Sequence, residues 1–134
     1  MSRKTVLVVD DEEHMVRLME YNLIRHGYDV LTAHDGLEAI TKAGISVPDL
    51  ILLDIRMPNM DGLEVCKILR GDERTQNIPI VIVSIIADRE KAEIMGARAY
   101  ILKPFSPSTL IEQVKEVLGE KAASNTEFVL NGEK

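Results

Sequence analysis

The chain has 134 residues, enough for one domain with a single buried core and too few for two. Hydrophobic residues make up 46% and charged residues 28%, globular proportions that exclude wholesale disorder. With 16 Lys+Arg against 22 Asp+Glu the net charge is −6, so the basic surface needed to bind nucleic acid is missing.

The lone cysteine, Cys66, rules out an intrachain disulfide and a cysteine-based zinc site. No apolar run approaches the length of a membrane span. Met1-Ser2-Arg3-Lys4 leads through a few apolar residues into Asp10-Asp11-Glu12-Glu13, which no signal peptide does. The expected location is cytoplasmic.

In chain order, the first predicted strand is Val6-Leu7-Val8-Val9, and it ends in Asp10-Asp11. Met15, Leu18, Met19 and Leu23 then share one helical face, predicting a helix near 12–26 with Gly27 as its stop. Val30-Leu31 marks a second strand, ending in Thr32-Ala33-His34. Asp35-Gly36-Leu37-Glu38 is a capping box opening a helix near 36–44, with Gly44 as its stop.

The third strand, Leu50-Ile51-Leu52-Leu53, ends in Asp54, and Asp61-Gly62-Leu63-Glu64 opens a helix near 62–71. Ile80-Val81-Ile82-Val83 is the fourth strand, ending in Ser84. A short fourth helix near 87–95 has only Ala87, Ala92, Ile94 and Met95 for an apolar face. Tyr100-Ile101-Leu102 is the fifth strand and ends in Lys103-Pro104. Ser106-Pro107 caps a last helix near 107–118, with Leu110, Val114, Val117 and Leu118 on one face.

Residues 119–134 are small, polar and charged except Phe128-Val129-Leu130, the pattern of a tail or linker stub. Four of the strands lack polar alternation, which means burial on both faces under helices. Strand–helix alternation of this kind predicts an α/β fold with a doubly wound parallel sheet and right-handed crossovers.

Ligands of open parallel sheets sit at the carboxyl ends of the strands. With strand order 2-1-3-4-5, the second strand lies at the edge and the other four ends converge. They bring Asp10, Asp11, Asp54, Ser84 and Lys103 to one site. Each alone has a plainer reading: an Asp pair can cap a helix, a Ser can sit in a turn, and a Lys can be solvated.

Together they change the chemistry. Three neighbouring carboxylates repel unless protonated or offset by a cation. An all-oxygen set suits Mg²⁺, with Mn²⁺ as a substitute, and Mg²⁺ recruits phosphate oxygens. An Asp carboxylate can itself accept a phosphoryl group.

The stretch Asp54-Ile55-Arg56-Met57-Pro58-Asn59-Met60-Asp61-Gly62, with Asp10-Asp11, Ser84 and Lys103-Pro104-Phe105, resembles the receiver domain of two-component response regulators. The resemblance spans roughly residues 4–118 and implies a flavodoxin-like fold with a receiver domain over 1–118. It implies that Asp54 is the phosphoacceptor, charged by a sensor histidine kinase or a phosphotransfer protein. Asp11 and Asp54 would be metal ligands, Asp10 an acidic neighbour holding the metal through water, and the Arg56 backbone carbonyl a further ligand.

Ser84 and Lys103 would meet phosphoryl oxygens, Tyr100 would be a rotamer switch, and the Lys103–Pro104 peptide would be cis. The implied activity is that of a signalling switch, not of an enzyme with an external substrate. It would act on a downstream protein or a fused output domain, as a monomer or weak dimer, with no direct contact to nucleic acid or membrane.

The chain also departs from that family. Its Ser84-to-Lys103 interval is about three residues short, a trimming the fold tolerates and one that shortens the fourth helix. Ile85 stands where a small residue is usual, and Arg98-Ala99 replaces a frequent acidic pair. A haloacid-dehalogenase-type phosphatase would need an Asp-x-Asp motif after the first strand, where Asp10-Asp11-Glu12 stands. A flavin carrier on the same fold would need a phosphate loop there, which Asp10-Asp11-Glu12-Glu13 would repel.

Overall fold

A computed structural model describes residues 3–85 and 89–120. Five parallel strands are present: β1 (Thr5–Val9), β2 (Asp29–Ala33), β3 (Leu50–Leu53), β4 (Ile80–Ser84) and β5 (Ala99–Leu102). They alternate with α1 (Glu13–Arg25), α2 (Gly36–Ser46), α3 (Gly62–Arg70), α4 (Arg89–Ile94) and α5 (Pro107–Val117). The sheet order is β2-β1-β3-β4-β5, the flavodoxin-like arrangement expected from the sequence.

The unbroken apolar strands feed two cores by simple alternation. Leu7, Val9, Ile51, Leu53, Ile80 and Ile82 point to one face, where α2 and α3 add Ala39, Ala43, Val65, Cys66 and Leu69. Val6, Val8, Leu50, Leu52, Val81 and Val83 point to the other, where α1 and α5 add Val16, Met19, Leu23, Leu110, Ile111 and Val114. Each such fully buried Val or Leu contributes about 1.5–3 kcal/mol relative to exposure. Among the described residues, no helix is long and apolar enough to cross a membrane.

The caps act as the sequence suggests at three helices. Asp35 Oδ1 accepts from the Glu38 amide, Asp61 Oδ1 from the Glu64 amide, and Ser106 Oγ from the Thr109 amide, with Pro107 opening α5. Each such cap is worth about 1 kcal/mol. The Glu38 carboxylate bonds back to the His34 amide rather than to that of Asp35.

Two expectations need correction. Gly44 does not stop α2, which runs on to Ser46 and turns at Val47, φ +44°. Gly44 leaves room for the Arg74 guanidinium, which donates to its carbonyl at 3.4 Å. Leu18, expected on the buried face of α1, is 42% exposed, and Val16 takes its place in the core. α4 is short, with six residues. The predicted start of α4 at Ala87 and most of the tail, residues 121–134, lie outside the described residues.

Candidate functional site

Parallel register assembles the site at the carboxyl edge. Val9 pairs with Leu53, so Asp10 and Asp54 leave adjacent strand ends side by side. The Asp54 amide donates to Val9 O at 3.1 Å and the Asp10 amide to Ala33 O at 3.1 Å. Ser84 pairs with Leu102, and the Lys103 amide donates to Ser84 O at 2.9 Å, which delivers Lys103 from the next strand.

Carboxylate oxygens of Asp10, Asp11 and Asp54 lie within 4.8 Å of one another. Asp10 is fully buried, Asp54 is 6% exposed, and Asp11 is exposed, so the cluster opens to water on the Asp11 side. Lys103 Nζ donates to Asp10 Oδ2 at 2.7 Å and stands 3.5 Å from Asp54 Oδ2. Asp10 Oδ1 accepts from the Glu12 amide at 2.9 Å. Both Asp10 oxygens are therefore engaged within the protein. Asp54 is bonded only loosely, its Oδ1 lying 3.3 Å from the Arg56 amide.

The electrostatics follow from this arrangement. Burial pushes the Asp54 carboxyl up to about 6; the Lys103 ammonium pulls it down, and Asp10 and Asp11 push it up further. Burial disfavours the Lys103 ammonium, but its hydrogen bond to Asp10 and the charges of Asp54, Asp10 and Glu12 outweigh that and hold its pKa above the ordinary lysine value. Three carboxylates face one ammonium. The donor set is all oxygen and the local charge is negative, which fits a hard divalent cation.

The loop after β3 holds Asp54 in place. Ile55 and Met57 are buried. Asn59 has φ +71°, and the Met60 amide donates to Pro58 O at 2.7 Å, a tight three-residue turn. The chain then returns, and the Gly62 amide donates to Ile55 O at 2.8 Å. A Cβ at Gly62 would lie 2.8 Å from both Asp54 O and Ile55 Cα, so only glycine permits this approach. In the sequence Gly62 opens a helix and closes the nine-residue motif; its close approach to the Asp54 backbone is a tertiary fact with no local signal.

The remaining sequence-predicted residues are placed as follows. Ser84 is fully buried at the end of β4, where its carbonyl accepts from the Lys103 amide. The Lys103–Pro104 peptide is cis. Tyr100 is half-buried on β5, where it packs against the α2–α3 core and lines a cleft of about 340 Å³ with Ala92, Arg98 and Gln113. The Arg56 side chain is exposed, with its amide facing Asp54.

Comparison with known proteins agrees with this geometry. The response regulator receiver domain family model matches residues 6–115. The chain is 46% identical over 131 residues to the alkaline phosphatase synthesis transcriptional regulatory protein PhoP of Bacillus subtilis, covering 93% of this chain and 53% of that one. It is 39% identical over 120 residues to the polar-differentiation response regulator DivK of Brucella ovis, covering 87% of this chain and 98% of that one.

The chemotaxis protein CheY4 of Vibrio cholerae superposes with a TM-score of 0.83 at 32% identity, covering 87% of this chain and 99% of that one. The chain spans about half the length of several curated relatives, PhoP among them, and nearly the whole of DivK. On its fold, its acid cluster and these matches, the chain belongs to the family of response regulator receiver domains, phosphoacceptors whose chemistry is confined to their own aspartate.

Proposed function

We propose that Asp54 is the phosphoacceptor, that Asp10, Asp11, Asp54 and the Arg56 carbonyl serve a Mg²⁺ site, and that a histidine kinase or phosphotransfer protein supplies the phosphoryl group. The observation that carries this reading is the Asp54 carboxylate itself. It is buried at the end of a central strand, bonded only at 3.3 Å, with acid oxygens within 4.8 Å and an ammonium at 3.5 Å.

With a pKa of about 6, Asp54 is mostly ionised at neutral pH and is a competent nucleophile. One of its oxygens attacks phosphorus, the bond from phosphorus to the donor atom breaks, and an acyl phosphate forms. Bound Mg²⁺ would neutralise charge on the transferring oxygens. Lys103, already between Asp10 and Asp54, turns from Asp10 to the new phosphoryl oxygens. The Ser84 hydroxyl meets another, and Tyr100 follows inward.

The result is a population shift between two conformations, driven by local electrostatics, which changes affinity for a downstream protein or a fused output domain. The test is incubation with acetyl phosphate and Mg²⁺. The parent should acquire one labile phosphoryl group, and Asp54→Asn should acquire none. Equal labelling of the two proteins would refute the assignment.

A further inference from the structure

Met60 lies six residues beyond Asp54, at the far side of the turn. It packs, half-buried, against the α2–α3 core. A Cβ at Gly36 would lie 3.0 Å from Met60 Sδ, 3.1 Å from Met60 Cβ and 2.8 Å from Val65 Cγ2. Gly36 is the first residue of α2, and its backbone lies outside the left-handed region. Alanine would suit that backbone better by about 0.5–1 kcal/mol. What glycine supplies there is space: a notch at the N-terminus of α2, walled by Val65 of α3, in which Met60 sits.

The loop between Asp54 and α3 is thus held at three points. β3 fixes Asp54, the Gly62 amide holds Ile55 O at 2.8 Å, and Met60 occupies the notch. Between them is the turn at Asn59, φ +71°, a conformation that persists only where its surroundings over-determine it. Apart from the 2.7 Å bond across the turn, Met60 is the side chain next to Asn59 with a seat in another element.

We propose that Met60, seated over Gly36, is a positioning residue for the phosphoryl-transfer site: it holds the Asn59 turn closed and thereby sets the backbone that follows Asp54, the Arg56 carbonyl included. This inference rests on the reading of Asp54 as the Mg²⁺-assisted phosphoacceptor. Met60 touches neither the cation nor the phosphoryl group. It acts through the loop, and Gly36, on a different helix, acts through Met60.

The test compares the parent with Met60→Ala, Met60→Leu and Gly36→Ala. Amide exchange over residues 55–62 and Mg²⁺ affinity, from titration of backbone amide resonances, are read beside labelling by acetyl phosphate and urea unfolding. Met60→Ala should speed loop exchange and weaken Mg²⁺ about tenfold, the lower range for losing outer support of a metal ligand. Met60→Leu, nearly equal in volume, should restore both. Gly36→Ala keeps Met60 but fills its notch, and should reproduce the loss; it carries the test if Met60→Ala fails to fold.

Parental Mg²⁺ affinity and loop exchange in Met60→Ala, or in Gly36→Ala, with or without lower stability, would leave Met60 a packing residue only and overturn the inference while the parent still labels. A parent that neither binds Mg²⁺ nor labels would overturn the functional reading, and the inference with it.

Discussion

Replacing Asp54 with Asn should make the metal-free protein more stable. The carboxyl, at about 3.8 in the unfolded chain, is pushed up to about 6 in the fold, first by burial and then by Asp10 and Asp11 against the pull of Lys103. A shift of about two pK units corresponds to about 3 kcal/mol of penalty for the ionised form. Water reaches the cluster through the Asp11 side, so about 1–2 kcal/mol is the expected yield.

The direction follows from proton linkage. The folded state binds this proton more tightly than the unfolded state does. The stability that protonated Asp54 provides is therefore complete below about pH 3.8 and is lost as pH rises through about 6. Above that, the parent carries the whole penalty and Asp54→Asn carries none. Lys103 keeps its 2.7 Å partner Asp10 in the variant, so no new orphan charge offsets the gain.

Urea unfolding in EDTA at pH 7.5 should show the variant ahead by about 1–2 kcal/mol, or about 4–10 °C in Tm. At pH 4 the difference should shrink toward zero. A variant no more stable than the parent at pH 7.5, or an advantage that persists unchanged at pH 4, would show that burial of Asp54 is not the source of the strain.

Mg²⁺ should stabilise the parent by mass action, by about 2.7 kcal/mol at a hundredfold excess over Kd, and Asp11→Ala should abolish most of the resulting rise in Tm in a thermal scan. Lys103→Met leaves the fully buried Asp10 without its ammonium and should destabilise the fold by about 2–3 kcal/mol in urea titrations; an unchanged midpoint would mean the pair contributes nothing. Arg98, exposed just before β5, puts a positive charge on this face and should prevent strong phosphorylation-driven homodimerisation through α4, β5 and α5. Sedimentation with a stable phosphoryl mimic and Mg²⁺ checks this: a clear dimer that Arg98→Asp does not weaken would remove the charge argument.

Much of this was legible because the strands carry their own signal. Leu50–Leu53 and Ile80–Ser84 are buried at every residue, and an unbroken apolar run can mean little else in a chain of alternating elements. β2 was less legible. As an edge strand it is exposed at Asp29 and only partly buried over its next three residues, so only Val30-Leu31 stood out.

Asp10, Asp11, Asp54 and Lys103 could be collected in advance because parallel strands put all carboxyl ends on one edge. Their pairing could not. That Lys103 bonds Asp10 at 2.7 Å and stands off from Asp54 at 3.5 Å depends on distances no spacing encodes. Gly44 and Gly36 make the same point: both read as local punctuation, yet side chains from other segments stand close against them, Arg74 at Gly44, and Val65 and Met60 at Gly36.

The most direct measurement is to locate the modified residue. The protein is incubated with acetyl phosphate and Mg²⁺, the acyl phosphate is trapped by borohydride reduction, and the peptides are sequenced by mass spectrometry. The reduced residue should be Asp54 and no other, with the signal abolished by EDTA. Reduction at Asp10 or Asp11, or labelling indifferent to EDTA, would contradict the account.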